Sequence, residues 1–238
     1  MLNVNCHLHT PYSFSACEDI DDALNRAVKE GVKAVGINDF YTSKGFKEWK
    51  IGCDKRKLIP LFGIEFISLN QDDQIAGLRV NDPANPGRTY ISGKGLAYPF
   101  NLPEPFASQL LAVEEESNKQ VAAMCVKLNE FLQRIDAGFT LDLAWIKKEF
   151  TQGSLRERHL ARALRIKLFE YCKGDLVKID LLLKEIFGGK SIISVLADIA
   201  SLENEIRANL LKKGGEAYVA EHPDAFLPLQ SVCDIIIA

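Results

Sequence analysis

The first third of the chain alternates between short apolar strands and an amphipathic helix. Residues Leu2 to His9 alternate apolar and polar side chains, the period-two pattern of a strand. Apolar residues recur at helical spacing from Ile20 to Val28, and Gly31 ends that helix. Apolar runs at 33–39 and 58–67 predict two more strands. Strand, helix and strand at this spacing indicate parallel βαβ units.

The pattern of the sequence changes at residue 81 and again at residue 106. Residues 81–105 hold five of the nine prolines, which predicts a long loop with a short strand at 88–92. Residues 106–213 are patterned as helices, including one apolar stripe that starts at Val121. In this region Thr140 is predicted to cap a helix, and Ser154 opens an S-x-x-E capping box that predicts a second helix start.

Composition narrows the class of protein. The chain has 238 residues, 47% of them hydrophobic, with 29 Lys and Arg against 32 Asp and Glu. This balance excludes global disorder and argues against a strong nucleic-acid-binding surface. No apolar run is long enough to span a membrane, and no secretory signal is visible at the start. The six cysteines are scattered, which favours free thiols and a cytoplasmic location.

Two histidines give the strongest chemical signal. His7 and His9 are two residues apart at the end of the first predicted strand, so their side chains leave the same face. That end of a parallel strand is where α/β barrels place their active sites, and imidazole is a common metal ligand. The alternative is a pair of half-exposed histidines without a chemical role. The chain has only four histidines, and two of them in an H-x-H pattern at a strand end fit chance poorly, which favours metal ligation.

Two carboxylates follow the neighbouring strands in the same way. Asp39 ends the second predicted strand, and Glu65 lies near the end of the third. We expect both to converge with His7 and His9, although each could instead cap a helix or lie in solvent. Two imidazoles and two carboxylates suit Zn²⁺, Mn²⁺ or Fe²⁺.

Five segments, in order along the chain, resemble motifs of the PHP domain, the polymerase and histidinol phosphatase superfamily. The motifs are H-x-H-T-x-x-S, a strand ending in T-D-H, G-x-E, R-P-H-(I/F)-A-R-A-L and G-G-x-A-Y-V. The matching segments are Cys6–Ser13, Gly31–Phe40, Gly63–Phe66, Arg158–Leu164 and Lys213–Val219.

The resemblance implies a distorted (β/α)7 barrel with a large helical insertion. Residues 1–105 would form the first part of the barrel, 106–213 the helical lobe and 214–238 the return to the barrel. It also implies hydrolysis of a phosphate ester by metal-activated water, with two or three divalent ions in a complete site. The substrate would be a phosphorylated small molecule or a nucleotide.

The resemblance assigns roles residue by residue. The predicted metal ligands are His7, His9, Asp39, Glu65 and His159, of which the first four are also the predicted catalytic residues. Ser13, Arg158 and Arg162 are the predicted substrate contacts; for the arginines, which begin a helix beside His159, the alternative is a solvated helix face.

Three departures from the family pattern bear on these roles. Phe40 stands where the family usually has a histidine, so one coordination position is lost or filled by another group. Ala16 and Cys17 stand where Asp-Gly is common. The chain ends at Ile235–Ala238, before the family's last ligands, which indicates C-terminal truncation and a site with at most one metal.

Two other classes of function stay open. A non-catalytic PHP-like module that binds a partner through its helical lobe would explain Phe40 and the missing late ligands. An amidohydrolase also opens with H-x-H, but it would carry a bridging lysine and further histidines at later strand ends. The sequence leaves the oligomeric state open.

Overall fold

The chain folds into a four-stranded sheet flanked by helices and a separate group of helices. A computed structural model describes residues 2–15 and 17–238, so Ala16, one of the departures from the family pattern, lies outside the described residues. The chain divides into two compact units. The first comprises Met1–Glu116, Gln152–Ser154 and His222–Ala238, and the second comprises Ser117–Thr151 and Leu155–Glu221.

The sheet of the first unit follows the predicted βαβ order. Its strands are neighbours in sequence order; the first three are parallel and the fourth is antiparallel. They are β1 (Val4–Leu8), β2 (Ala34–Phe40), β3 (Ile59–Leu69) and β4 (Arg88–Lys94). The predicted α/β class is confirmed. The described part of the chain has these four strands, so the closed seven-stranded barrel stays a prediction.

Helices cover this sheet and close its core. They are α1 (Ile20–Lys29), α2 (Phe46–Arg56), the beginning of α4 (Phe106–Arg134) and α9 (Leu229–Ile237). The short helix α3 (Gln71–Ile75) follows β3 and buries none of its residues. The Asp19 carboxylate caps α1 by accepting from the backbone N–H of Asp22. Leu24 and Trp49 are fully buried in this core, so α1 and α2 bury one face each against the strands.

A one-residue irregularity in β1 lies beside the predicted site. Asn5 pairs with Val35 and Leu8 pairs with Ile37, so β1 advances three residues where β2 advances two. Such a bulge bends a strand and redirects the side chains next to it. His7 lies within this bulge.

The second unit is helical throughout its core. Its helices are the rest of α4, α5 (Leu143–Phe150), α6 (Glu157–Tyr171), α7 (Leu176–Ile186) and α8 (Ile199–Ile206), which continues into a π-helical turn at Arg207–Leu211. Leu128 of α4 and Leu164 of α6 are fully buried in one apolar cluster with these helices. Among the described residues, no helix is both long and apolar enough to cross a membrane.

Two predicted helix starts were wrong. The start of α5 is set by Asp142 instead of Thr140, because the Asp142 carboxylate accepts from the N–H of Ala144 at 2.8 Å. The start of α6 lies at Glu157, three residues after Ser154, because Arg156 still has an extended backbone. The side chain that caps α6 is that of His159.

Candidate metal centre

Three predicted ligands meet at the carboxyl ends of β1 and in β3. The Oε2 atom of Glu65 lies 3.2 Å from Nε2 of His7 and 3.1 Å from Nε2 of His9. The two imidazole nitrogens are 3.4 Å apart. Three donor atoms therefore form a nearly equilateral triangle, and among the described residues these are the side chains grouped closely enough to hold a metal ion.

The size of this triangle matches a divalent metal. Ligands about 2.0–2.1 Å from a tetrahedral metal lie about 3.3–3.4 Å from one another. The observed separations of 3.1–3.4 Å come within a few tenths of an ångström of that value. Two imidazoles and one carboxylate also form a donor set that Zn²⁺, Mn²⁺ and Fe²⁺ accept. The residues present thus fit the ion that the sequence predicts.

Exposure is graded across the triangle. The side chain of Glu65 is 9% exposed, that of His9 19% and that of His7 40%. The carboxylate is therefore anchored in the protein, whereas the side at His7 is open.

Two phenylalanines hold the His9 ring between them. The ring centroid of Phe14 lies 4.7 Å from that of His9, and Phe40 lies 4.9 Å away, both nearly parallel to it. Nδ1 of His9 is buried and makes no hydrogen bond within the described residues. A ligating histidine usually has its ring oriented by a hydrogen bond from its other nitrogen. Here aromatic packing provides the orientation, and Phe40, which cannot bind metal, fixes a residue that can.

Asp39 anchors the loop that follows His9. Its side chain is fully buried, and Oδ1 accepts from the Thr10 backbone N–H at 2.7 Å and the Ser13 hydroxyl at 2.6 Å. Oδ2 accepts from the Thr10 hydroxyl at 2.5 Å. Burial raises the pKa of Asp39, while the hydrogen bonds from Ser13 and Thr10 oppose this rise. Asp39 lies outside the three-residue group, and its ligand role, like the substrate contact of Ser13, stays a prediction.

Asn38 is a neighbour of the group that the sequence analysis missed. Its Nδ2 atom lies 3.0 Å from the Ser92 hydroxyl and 3.2 Å from Nε2 of His7, and its Oδ1 is buried without a partner in the described chain. Gly63 makes room for this amide, because a Cβ atom there would come within 2.7 Å of Asn38 Oδ1. A polar residue inside the apolar strand VGIND was the available signal.

His159, Arg158 and Arg162 belong to the second unit. Nδ1 of His159 accepts a hydrogen bond from the backbone N–H of Arg156 at 3.0 Å. Burial, and after it the charge of Arg156, lowers the pKa of His159 to about 4. The Arg162 guanidinium lies over the Phe150 ring at 5.0 Å, and burial followed by the charge of Arg207 lowers the pKa of Arg158. Their predicted roles as ligand and substrate contacts stay predictions.

A comparison with protein-family models identifies the family. The PHP domain model matches residues 5–187, which include His7, His9, Asp39, Glu65 and His159. The chain belongs to the PHP domain family. No curated protein matches it at a significant level.

Solved structures share the fold of this PHP domain protein. A candidate metal-dependent phosphoesterase from Bifidobacterium adolescentis aligns with a TM-score of 0.63 and 14% identity. An amidohydrolase from Chromobacterium violaceum, solved with bound sulfate and no metal, aligns with a TM-score of 0.60 and 14% identity. Each alignment covers 99% of this chain but 63% of the other protein. The chain thus spans less than two thirds of the length of these neighbours.

Proposed function

We propose that this PHP domain protein is a metal-dependent phosphoesterase that acts on a phosphorylated small molecule or a nucleotide. The observation that carries the proposal is the triangle of Nε2 of His7, Nε2 of His9 and Oε2 of Glu65, with sides of 3.1–3.4 Å. These three residues would hold the ion. When bound, a divalent ion supplies Lewis acidity, which lowers the pKa of a water molecule and polarises a phosphoryl oxygen.

The surrounding residues prepare the group for that role. The nearly buried Glu65 would supply a carboxylate oxygen beside the two imidazole nitrogens. Phe14 and Phe40 hold the ring of His9 in place, and Asp39 fixes the loop after it. The exposed side at His7 admits water and substrate. Orientation is therefore built before any ligand arrives, which lowers the cost of binding.

A phosphate ester is the proposed substrate class, and four observations support it. The family resemblance implies phosphate-ester hydrolysis, and one structural neighbour is named as a candidate metal-dependent phosphoesterase. The other neighbour holds sulfate, an oxyanion with the shape of a phosphate group. Arg158 and Arg162 carry the positive charge that suits such an anion, and with Ser13 they remain the proposed substrate contacts.

A metal-loading assay coupled to hydrolysis tests the proposal. The full chain is stripped with a chelator, loaded with Mn²⁺ or Zn²⁺, and assayed with p-nitrophenyl phosphate. We expect hydrolysis that depends on the metal and falls at least about a hundredfold in His9→Ala and Glu65→Gln, because each substitution removes one of three ligands. His222→Ala is the matched control, since His222 is exposed and outside the group.

The same assay separates the alternatives. Metal binding without hydrolysis of any phosphate ester would favour the non-catalytic module. Hydrolysis of a p-nitroanilide in place of the phosphate ester would favour an amidohydrolase. Equal metal content in wild type and His9→Ala would refute the proposed centre.

A further inference from the structure

The face of the sheet that carries Glu65 continues onto β4. In the antiparallel ladder between β3 and β4, Glu65 pairs with Ser92 and Gly63 pairs with Lys94. Directly paired residues of neighbouring strands project their side chains from the same face, with Cβ atoms about 4.5–5.5 Å apart. Ser92 therefore lies beside the carboxylate of the candidate metal centre, and Lys94, two residues further along β4, lies on the same face.

Asn38 connects Ser92 to His7. Its Nδ2 atom donates a hydrogen bond to the Ser92 hydroxyl oxygen at 3.0 Å and lies 3.2 Å from Nε2 of His7. These two distances together bound the separation of the Ser92 oxygen from that ring nitrogen at about 6 Å. Asn38 is fully buried, and its Oδ1 has no partner within the described chain. A polar connection enclosed in the protein thus leads from the candidate metal centre to Ser92.

The hydroxyl proton of Ser92 has no acceptor in the described part of the chain. A serine oxygen can accept hydrogen bonds and also donate one. At Ser92 the oxygen accepts from Asn38, and its own O–H meets no described acceptor. Ser13, the serine that the family resemblance selects, differs, because its fully buried hydroxyl donates to Oδ1 of Asp39 at 2.6 Å. Of these two serines, Ser92 is the one with a proton left for a substrate.

Lys94 supplies positive charge on the same face. Its exposed side chain places Nζ 3.4 Å from the Sγ atom of Cys6, the residue that precedes His7. A thiol is a weak acceptor and an ammonium group has three donors, so most of the donor capacity of Lys94 is unused. Among the residues that the structure describes, no carboxylate pairs with this ammonium. The charged end of Lys94 therefore extends from β4 to β1 without being neutralised.

We infer that Ser92 and Lys94 bind the phosphoryl group of the substrate, Ser92 as a neutral donor and Lys94 as the cation. A phosphate ester offers several acceptor oxygens and negative charge, so it suits a hydroxyl and an ammonium on one face. A neutral amide would gain little from the ammonium charge. The inference rests on the proposed function in naming a phosphate ester, and neither residue belongs to the metal triangle.

Phosphate titrations of matched variants test the inference. The variants are Ser92→Ala, Ser92→Thr, Lys94→Gln and Lys94→Arg, and Lys29→Gln is the control, because Lys29 is exposed at the end of α1. Calorimetry measures the affinities of the full chain for inorganic phosphate and for Mn²⁺, and thermal melts check folding. We expect Ser92→Ala and Lys94→Gln each to weaken phosphate binding at least about tenfold, because each loses a hydrogen bond to an anion.

The conservative variants and the metal titration show how the two residues act. Threonine keeps the hydroxyl and arginine keeps a charged donor, so we expect Ser92→Thr and Lys94→Arg to retain phosphate affinity within about threefold. We expect Mn²⁺ affinity to stay within about twofold of wild type in all four variants, because none removes one of the three metal ligands. The control Lys29→Gln should match wild type in both titrations.

Several results would overturn the inference. One is phosphate binding that is absent in wild type, or unchanged in either Ser92→Ala or Lys94→Gln. Another is a loss in Ser92→Thr as large as that in Ser92→Ala, which would assign the effect to packing. A parallel loss of Mn²⁺ affinity in Ser92→Ala would show that Ser92 acts through Asn38 on the metal ligands and not on the substrate.

Hydrolysis of p-nitrophenyl phosphate separates this inference from the proposed function. Phosphate binding needs no turnover, so a wild type that binds phosphate through both residues without metal-dependent hydrolysis would refute the phosphoesterase and leave the anion site intact. With hydrolysis in wild type, we expect Ser92→Ala and Lys94→Gln to raise KM at least about fivefold with a smaller change in kcat, because both residues already contact the bound substrate. A fall in kcat with unchanged KM would contradict the binding role.

Discussion

Replacing Asp39 with asparagine should weaken the loop that carries His9. The Asp39 carboxylate accepts three hydrogen bonds, two at Oδ1 and one at Oδ2, from Thr10 and Ser13. Asparagine keeps one acceptor oxygen, so the best amide orientation retains the two bonds at Oδ1 and turns its NH₂ toward the Thr10 hydroxyl. Losing one hydrogen bond to a charged group costs about 1.5–3 kcal/mol. Removal of a buried charge offsets part of this, because burial raises the pKa of Asp39. We expect the free energy of unfolding to fall by about 2 kcal/mol.

Guanidinium denaturation of four chains tests this magnitude. The chains are wild type, Asp39→Asn, Ser13→Ala and the double variant. Ser13→Ala removes one bond to the same carboxylate, so the two substitutions should be non-additive by about 1 kcal/mol. Metal affinity should also fall about 10- to 100-fold in Asp39→Asn, because the loop positions a ligand. A change in unfolding free energy below about 0.5 kcal/mol would refute the anchoring role.

Three further predictions test particular contacts. Phe40→Ala should lower the free energy of unfolding by about 3–5 kcal/mol in a denaturation experiment, because it empties a buried aromatic site. Phe40→Leu fills more of the space, so it should recover stability but not metal affinity. Equal metal affinity in both variants and wild type would contradict the stacking role. Gly63→Ala should cost about 1–3 kcal/mol of unfolding free energy, because a Cβ would contact Asn38 Oδ1 at 2.7 Å and the Gly93 carbonyl at 2.8 Å; an unchanged melt would contradict that crowding. Burial raises the pKa of Glu157, but Lys212 and Arg207 outweigh it and lower this pKa from 4.5 to about 2. The contribution of Glu157 to the free energy of unfolding should therefore be lost as pH falls from 4.5 to about 2. Glu157→Gln should flatten that pH dependence, and an identical pH profile in this variant would argue against the pairing.

The strand ends and their chemistry could be predicted from sequence because both follow from periodicity. The apolar runs before Asp39 and Glu65 placed Asp39 near the carboxyl end of β2 and Glu65 level with it in β3, where Phe40 pairs with Glu65. The H-x-H spacing placed two imidazoles beside Glu65. The bulge between Asn5 and Leu8 was invisible, since it depends on how β1 pairs with β2. His7 and His9 nevertheless lie close together with Glu65, as the H-x-H spacing led us to expect, and their role as metal ligands stays a prediction.

The details that sequence could not give all depend on tertiary contacts. Phe14 and Phe40 look like ordinary core residues until the His9 ring is found between them. The start of α6 was misplaced because Ser154 fits the usual capping pattern. The side chain that accepts the backbone N–H at the helix start is that of His159, and histidine is not one of the residues from which a capping box is predicted. Asn38 was overlooked because its importance comes from its distance to His7 and from the space at Gly63.

Anomalous diffraction from crystals of the full chain soaked in Zn²⁺ or Mn²⁺ tests the central claim most directly. We expect a peak at the metal absorption edge about 2.0–2.3 Å from Nε2 of His7, Nε2 of His9 and a carboxylate oxygen of Glu65. A soaked crystal in which these three atoms bind no metal, or in which the ion binds elsewhere, would contradict the proposed centre.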